Sequence, residues 1–192
     1  MSLLPSSGVH NIISDHPVIG RMGEELYRER QRFRQWWMWI LLLSTSALGW
    51  WALIQQVFLG IEFGNNPASD LGVIILFFII GLAFPAFMAS LTLETVIDTE
   101  GIGYRFFPVQ RMKRIELSDI ASWQVRRYSP LGEYGGWGVR YGAGGKAYNV
   151  SGDMGLDIVF KDGRRFLIGT NRPEEMENVM RLLLVEGGAA QI

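Results

Sequence analysis

The residue types that most often carry chemistry are sparse in this chain. It has two histidines, His10 and His16, and no cysteine in 192 residues. Both histidines lie in the opening stretch MSLLPSSGVHNIISDHPVIG. A metal site usually needs three or four ligands, so this pair reads as solvent-facing or as a partner contact. No histidine follows them, which leaves Ser-His-Asp and Cys-His arrangements without a base. The absence of cysteine removes disulfide, thiol and thiolate-metal chemistry. Gly142-Ala-Gly-Gly-Lys146 has the look of a phosphate loop, but Arg140 stands where its first glycine belongs and Ala147 replaces the metal-binding hydroxyl. It reads as a glycine-rich hairpin. The carboxylates Glu116 and Asp119 are separated by ordinary strand sequence and read as surface groups. One distinctive constellation remains, Tyr134-Gly-Gly-Trp-Gly-Val-Arg-Tyr141 with Tyr148. Aromatic and arginine side chains dominate interface hot spots, and glycines let a partner's backbone approach. Tyr134, Trp137, Arg140, Tyr141 and Tyr148 are therefore candidate partner-binding residues. Trp137 and Tyr141 fit the core of a small barrel equally well.

The elements that must position these groups begin with two uncharged segments, Gln35 to Ile61 and Leu71 to Leu93. Each exceeds the ~20 apolar residues that a helix needs to cross a bilayer. Between them, Glu62 to Asp70 contains two acids, no base and an Asn-Pro turn signal, with Asp70 placed to cap the second helix. Upstream, GEELYRERQRFRQWW is rich in helix formers and carries Glu24 and Arg28 at i,i+4, which predicts a juxtamembrane helix. Arg28, Arg30, Arg32 and Arg34 precede Trp36, Trp37 and Trp39. That order suits a lipid interface, with cations among headgroups and indoles in the interfacial belt. It reads either as a topogenic anchor or as recognition of an anionic lipid, against which Glu24, Glu25 and Glu29 weigh. Basic flanks on both sides predict a multi-pass protein of the cytoplasmic (inner) membrane with both termini cytoplasmic. Neither span holds an ionisable residue or a histidine, so the hairpin reads as an anchor rather than an ion path or haem site. Thr45 with Gly49, and Ala86 with Ser90, have helix-contact spacing, for each other or for other subunits, and Gly81 with Pro85 predicts a kink.

From Leu91 the period becomes two: Leu91, Leu93, Thr95 and Ile97 alternate with Thr92, Glu94, Val96 and Asp98. A strand thus leaves the second span without a linker. Further strands are predicted at Ile102–Phe107, Lys113–Val125 with a break near Asp119, Trp137–Tyr141, Lys146–Val150, Leu156–Phe160 and Arg165–Ile168, with an Asp162-Gly163 hairpin between the last two. Seven strands imply an antiparallel sandwich or partly closed barrel. Pro173 then opens a helix whose Met176, Val179, Met180, Leu183 and Leu184 form one apolar stripe, ending at Gly187-Gly188. The fold class is a membrane helical hairpin plus an α+β domain. The divisions are a tail (1–21), a juxtamembrane helix with the hairpin (22–93) and a cytoplasmic domain (94–192). Basic and acidic groups balance across the last hundred residues, which argues against nucleic-acid binding.

Seven strands capped by one helix resemble a pleckstrin-homology (PH) domain. From about Glu25 the chain also resembles a family of bacterial and archaeal membrane proteins with two spans followed by such a domain. The matching stretches are Gln31-Arg-Phe-Arg-Gln-Trp-Trp37, Phe63-Gly-Asn-Asn-Pro-Ala-Ser-Asp70, Glu133-Tyr-Gly-Gly-Trp-Gly-Val-Arg140, Lys146-Ala-Tyr-Asn-Val-Ser-Gly152 and Arg172-Pro-Glu-Glu175. The resemblance implies a fold and no activity. Phosphoinositide-binding PH domains use bases in their first hairpin loop, and Thr99-Glu100-Gly101 offers an acid there. Arg111, Lys113, Arg114, Arg126 and Arg127 form a second basic group, read as a solvated face or as a membrane or partner contact. The expectation is a non-catalytic accessory or scaffold subunit without cofactor or small-molecule substrate. Its partners would be other subunits of a membrane complex, a respiratory or photosynthetic one among the possibilities, and membrane lipids. The alternative is a lipid- or envelope-sensing module that reads anionic headgroups.

Overall fold

A computed structural model describes residues 23–142, 144–184, 190 and 191. The tail with His10 and His16, and Gly187-Gly188, lie outside the described residues.

The chain enters as a strand. β1 (Glu25–Arg32) leads into α1 (Trp36–Leu53), which continues through a π-type turn at Ile54–Phe58. The returning helix is α2 (Asp70–Leu76), a π-type stretch Phe77–Ala83 and α3 (Phe84–Ser90). There follow β2 (Thr92–Asp98), β3 (Gly101–Phe107), β4 (Lys113–Glu116), β5 (Ile120–Arg127), the short α4 (Pro130–Tyr134), β6 (Gly138–Gly142), β7 (Gly145–Asn149), β8 (Met154–Phe160) and β9 (Arg165–Thr170). Helix α5 (Pro173–Leu184) and a two-residue β10 (Ala190–Gln191) complete the order.

Trp36–Phe58 and Asp70–Ser90 are long and apolar enough to cross a membrane. Their seam is made by Leu42, Ser46 and Leu53 against Val73, Phe77 and Gly81, all buried. Ser46 Oγ donates to the Gly81 carbonyl, and Trp50 meets Phe77 edge-on at 4.6 Å. A Cβ on Gly49 would lie 3.8 Å from the Gly81 Cα, so small residues set the approach here. Of the spaced pairs in the sequence, Gly49 lies in this seam, while Ala86 faces outward and Thr45 bonds back to the Leu41 carbonyl. Pro85 stands in the first turn of α3, directly after the π-type stretch that re-registers the helix around its missing N–H. Ser69, not Asp70, caps the returning helix, through the Gly72 N–H. Asp70 instead accepts from Gln56 Nε2 at 3.0 Å, which ties the turn to the end of the first span.

Two sheets form the other body. One has the order β1-β2-β3-β4 and is antiparallel throughout. The other runs β10-β5-β8-β9-β7-β6, with parallel pairs β7–β9 and β10–β5 among antiparallel ones. The expected Lys113–Val125 strand divides at a 3₁₀ turn, Leu117–Asp119, so the strand count rises above seven. The inner faces meet in one core that includes Leu93, Ile97, Ile102, Trp123, Tyr148, Leu156, Ile158 and Ile168. Met176, Val179 and Met180 of α5 close one side of it, as the stripe predicted.

Residues 25–32 correct the expected juxtamembrane helix. β1 pairs antiparallel with β2 from Arg32↔Thr92 to Tyr27↔Ile97. Its arginines at every second position lie on one face, while Tyr27, Glu29 and Gln31 are buried on the other. Tertiary pairing overrides the local helix preference because a strand here satisfies Glu94, a buried carboxylate at the centre of the sheet. Arg30 and Arg105, directly opposite Glu94 on the flanking strands, bond it at 3.0 and 2.5 Å, and Arg28 adds a contact at 2.7 Å. The domain therefore begins before the hairpin, which is inserted between its first two strands.

Burial pushes the Glu94 carboxyl up, but the Arg30 and Arg105 guanidiniums outweigh it and hold the group below the usual carboxylate range. A depressed folded-state value means that this stability is present above the unfolded value of about 4.3 and is lost as pH falls through the folded value. Glu94→Gln is expected to lower stability by about 2 kcal/mol at pH 7, less than for a fully buried pair because its arginines are partly solvated. Thermal unfolding from pH 7 to pH 3 checks this: the two chains should converge at the acid end.

Candidate functional site at the foot of the hairpin

The foot is where α1 starts and α3 ends. Arg32 and Thr92 pair there, so both ends of the hairpin are rooted in adjacent strands with no free linker. Gln35 Nε2 donates to the Val150 carbonyl at 2.6 Å, and Trp39 Nε1 donates to the Phe33 carbonyl at 3.0 Å. Phe33 and Met88 pack against the sheet core itself. Trp37, on the first turn of α1, meets Trp137 with ring centroids 6.3 Å apart.

Beside that contact a groove of about 490 Å³ runs between hairpin and domain, lined by Trp37, Met88, Phe106, Val109, Leu131 and Trp137 among others. Arg140 is the charged residue in its wall, with Nε donating to the Trp137 carbonyl at 2.8 Å. Gly136 and Gly138, at φ of 131° and 111°, allow the backbone reversal that folds Arg140 back over this loop. The Thr92↔Phe107 register also brings the β3–β4 loop to the foot. Phe107, Val109 and Met112 are about half exposed or more there, and Leu131 of α4 is 67% exposed. Arg105, Arg111 and Lys113 flank these apolar side chains.

The sequence-selected arginines separate into two groups. Arg28 and Arg30 are committed to Glu94, and Arg28 also to Glu25 at 2.5 Å. Arg32 and Arg34 have no carboxylate partner among the described residues. They line a polar pocket of about 320 Å³ along the free edge of β1, together with Arg30, Gln31, Ser151 and Arg172. Trp36 is exposed, Trp37 is half exposed and Trp39 is partly buried, one turn further along. The second basic group disperses as well. Arg114 bonds Asp98, Arg126 bonds Asp157 and Glu133, and Arg127 bonds Asp153, which leaves Arg111 and Lys113. Arg126 beside Glu133 holds that carboxyl below its ordinary range.

The aromatic candidates separate similarly. Tyr134 and Tyr148 are buried, at 3% and 0% exposure, and act from the interior. Tyr134 meets Tyr128 edge-on at 5.9 Å, and burial pushes the Tyr128 hydroxyl up to about 12. Tyr148 packs on Tyr104 at 5.0 Å and donates to Gln110 Oε1. Trp137 and Arg140 reach the foot groove, whereas Tyr141 is 74% exposed at a different cavity of about 570 Å³ beside Lys113, Lys146 and Arg164. Lys146 lies 5.2 Å from the Tyr141 ring centroid and 4.9 Å from that of Tyr148. Gly142 pairs with Gly145 at the end of the β6–β7 ladder, and a Cβ on Gly145 would strike the Arg165 carbonyl at 2.2 Å.

Sequence reasoning missed Val109, Met112, Leu131, Ser151 and Arg172. The run Phe107-Pro-Val-Gln-Arg-Met-Lys113, with apolar and basic residues interleaved outside a strand, carried a readable signal for the first two. The others come to the foot through tertiary register alone. Among the described residues no three His, Asp or Glu side chains converge as metal ligands. Comparisons of the chain with protein-family models, curated proteins and solved structures give no match.

Trp137→Ala removes the aromatic bridge to the hairpin. It is expected to cost about 1–2 kcal/mol and to blue-shift less of the tryptophan emission, read by thermal unfolding and fluorescence in a mild detergent.

Proposed function

We propose that the protein is a non-catalytic accessory subunit of the cytoplasmic membrane. In this reading the hairpin crosses the bilayer with its foot on the cytoplasmic side, and a PH-like module lies against the inner leaflet and docks neighbouring membrane-complex subunits. The observation that carries it is the double rooting of the hairpin at Arg32↔Thr92. A domain tied to two spans through paired strands keeps one pose on the bilayer, and preorganised surfaces bind without the cost of ordering themselves. The exposed Phe107, Val109, Met112 and Leu131 at the same end suit insertion among headgroups, with Arg111 and Lys113 beside anionic lipid. Two sheets closed by a C-terminal helix support the PH-like reading, although the parallel β7–β9 pair departs from a plain antiparallel meander. Positive flanks and the acidic turn at Glu62 and Asp70 support the orientation.

A second reading, a sensor of anionic headgroups, is favoured by Arg32 and Arg34, which stand unpaired beside the interfacial tryptophans.

Cross-linking in native membranes, followed by gentle detergent extraction and mass spectrometry, tests the subunit reading. The expected result is companion chains in fixed stoichiometry, with cross-links at Tyr141 or Arg140. A chain that emerges alone, with no cross-link from either position, overturns it.

A further inference from the structure

The pocket on the free edge of β1 has the chemistry of a phosphate site. Arg32 and Arg34 supply two guanidinium groups with no carboxylate partner among the described residues, and Arg172, itself paired with Glu175, also lines the pocket. Guanidinium groups favour phosphate oxygens because their fork of donors matches them. The acid in the lining, Glu29, is already satisfied. Its Oε2 accepts from Tyr27 Oη at 2.6 Å and Thr170 Oγ1 at 2.8 Å, and its Oε1 accepts from the Asn171 N–H at 2.8 Å. The backbone adds donors. Arg172 donates to the Arg28 carbonyl, so Arg28 turns its main chain to the free edge, and strand alternation turns Arg30 and Arg32 the same way. Gln31 turns inward on the buried face of β1, with Nε2 engaged on the Gly169 carbonyl at 2.6 Å.

We propose that this pocket binds the phosphate of an anionic phospholipid headgroup, for which phosphatidylglycerol serves as the probe. The phosphodiester would lie on Arg32 and Arg34. Position selects the lipid over a soluble phosphate: Arg34 is two residues before α1, whose first turn presents Trp36, Trp37 and Trp39. The proposal rests on the reading that the hairpin crosses the bilayer, and it deepens the second functional reading by giving it a site distinct from Arg111 and Lys113.

The test uses the full chain in phosphatidylcholine nanodiscs that contain a minority of phosphatidylglycerol. The motionally restricted fraction of spin-labelled phosphatidylglycerol is compared with that of spin-labelled phosphatidylcholine. A preference of about tenfold for phosphatidylglycerol is expected at low salt. It should fall nearly to one in the Arg32→Gln/Arg34→Gln chain and persist in the Arg111→Gln/Lys113→Gln chain. If the double glutamine chain does not reconstitute, Arg32→Lys/Arg34→Lys keeps the charge without the fork and should lose part of the preference. No preference in the unaltered chain overturns the proposal, as does an equal loss in both glutamine pairs, which would indicate general surface charge. Displacement by inorganic phosphate at constant ionic strength would make this a free-phosphate site and also overturn it. Quenching of tryptophan fluorescence by brominated acyl chains reads insertion separately. An inserted hairpin without lipid preference defeats this inference alone, and an unquenched one defeats the membrane reading beneath it.

Discussion

The ladder between β1 and β2 is the constraint on which the rest of the structure depends. It joins segments that lie on either side of the entire hairpin, so the long helices form a closed loop inserted into a sheet. Closing a long flexible loop would cost conformational entropy, but two packed antiparallel helices bring their own ends together. Helix axes in contact lie ~8–10 Å apart and paired strands ~4.8 Å apart, so the short connections Phe33–Gln35 and Leu91 suffice to pass from one spacing to the other. The small residues in the seam, Gly49, Gly81 and Ser46, are thus coupled to the sheet. A helix pair forced apart there would splay the strands at its foot.

The same ladder determines what the arginines do. Each sheet holds a buried carboxylate on a central strand, Glu94 in one and Asp157 in the other, and arginines from neighbouring strands converge on it. Those cations brace the outer faces of the sheets and are not available to a ligand. A sequence in which basic and acidic residues balance therefore still leaves local cationic excess where strand ends and loops escape this bracing. At the foot of the hairpin that excess is Arg32 and Arg34, which line the pocket on the free edge of β1.

Much of the fold was legible because hydrophobic period is a direct consequence of burial. Two uninterrupted apolar runs became the long helices, period-two alternation from Leu91 became β2, and the Met176, Val179, Met180 stripe became the inner face of α5. β1 was not, because Glu24, Arg28 and their neighbours have good helix propensity and the stretch abuts a helix. Arginine at 28, 30, 32 and 34 against Tyr27, Glu29, Gln31 and Phe33 was nevertheless a strand signal, written in charge rather than in apolar residues. Of the candidate partner-binding residues, Trp137, Arg140 and Tyr141 reach the surface. Tyr134 and Tyr148 do not, since residue type alone cannot separate a core tyrosine from an interfacial one. The pocket of Arg32 and Arg34 needed the fold, because Ser151 and Arg172 come from distant segments.

The rigid union of hairpin and sheets is tested most directly by a distance. The chain has no native cysteine, so spin labels can be placed at Asn65→Cys in the hairpin turn and at Glu100→Cys in the β2–β3 turn without background. Double electron–electron resonance on this pair in lipid nanodiscs reports the distribution of their separation. A single narrow distribution is expected from two spans rooted in paired strands. A broad or multimodal one would mean that the domain swings on the hairpin, and would contradict the fixed pose from which the proposed docking role follows.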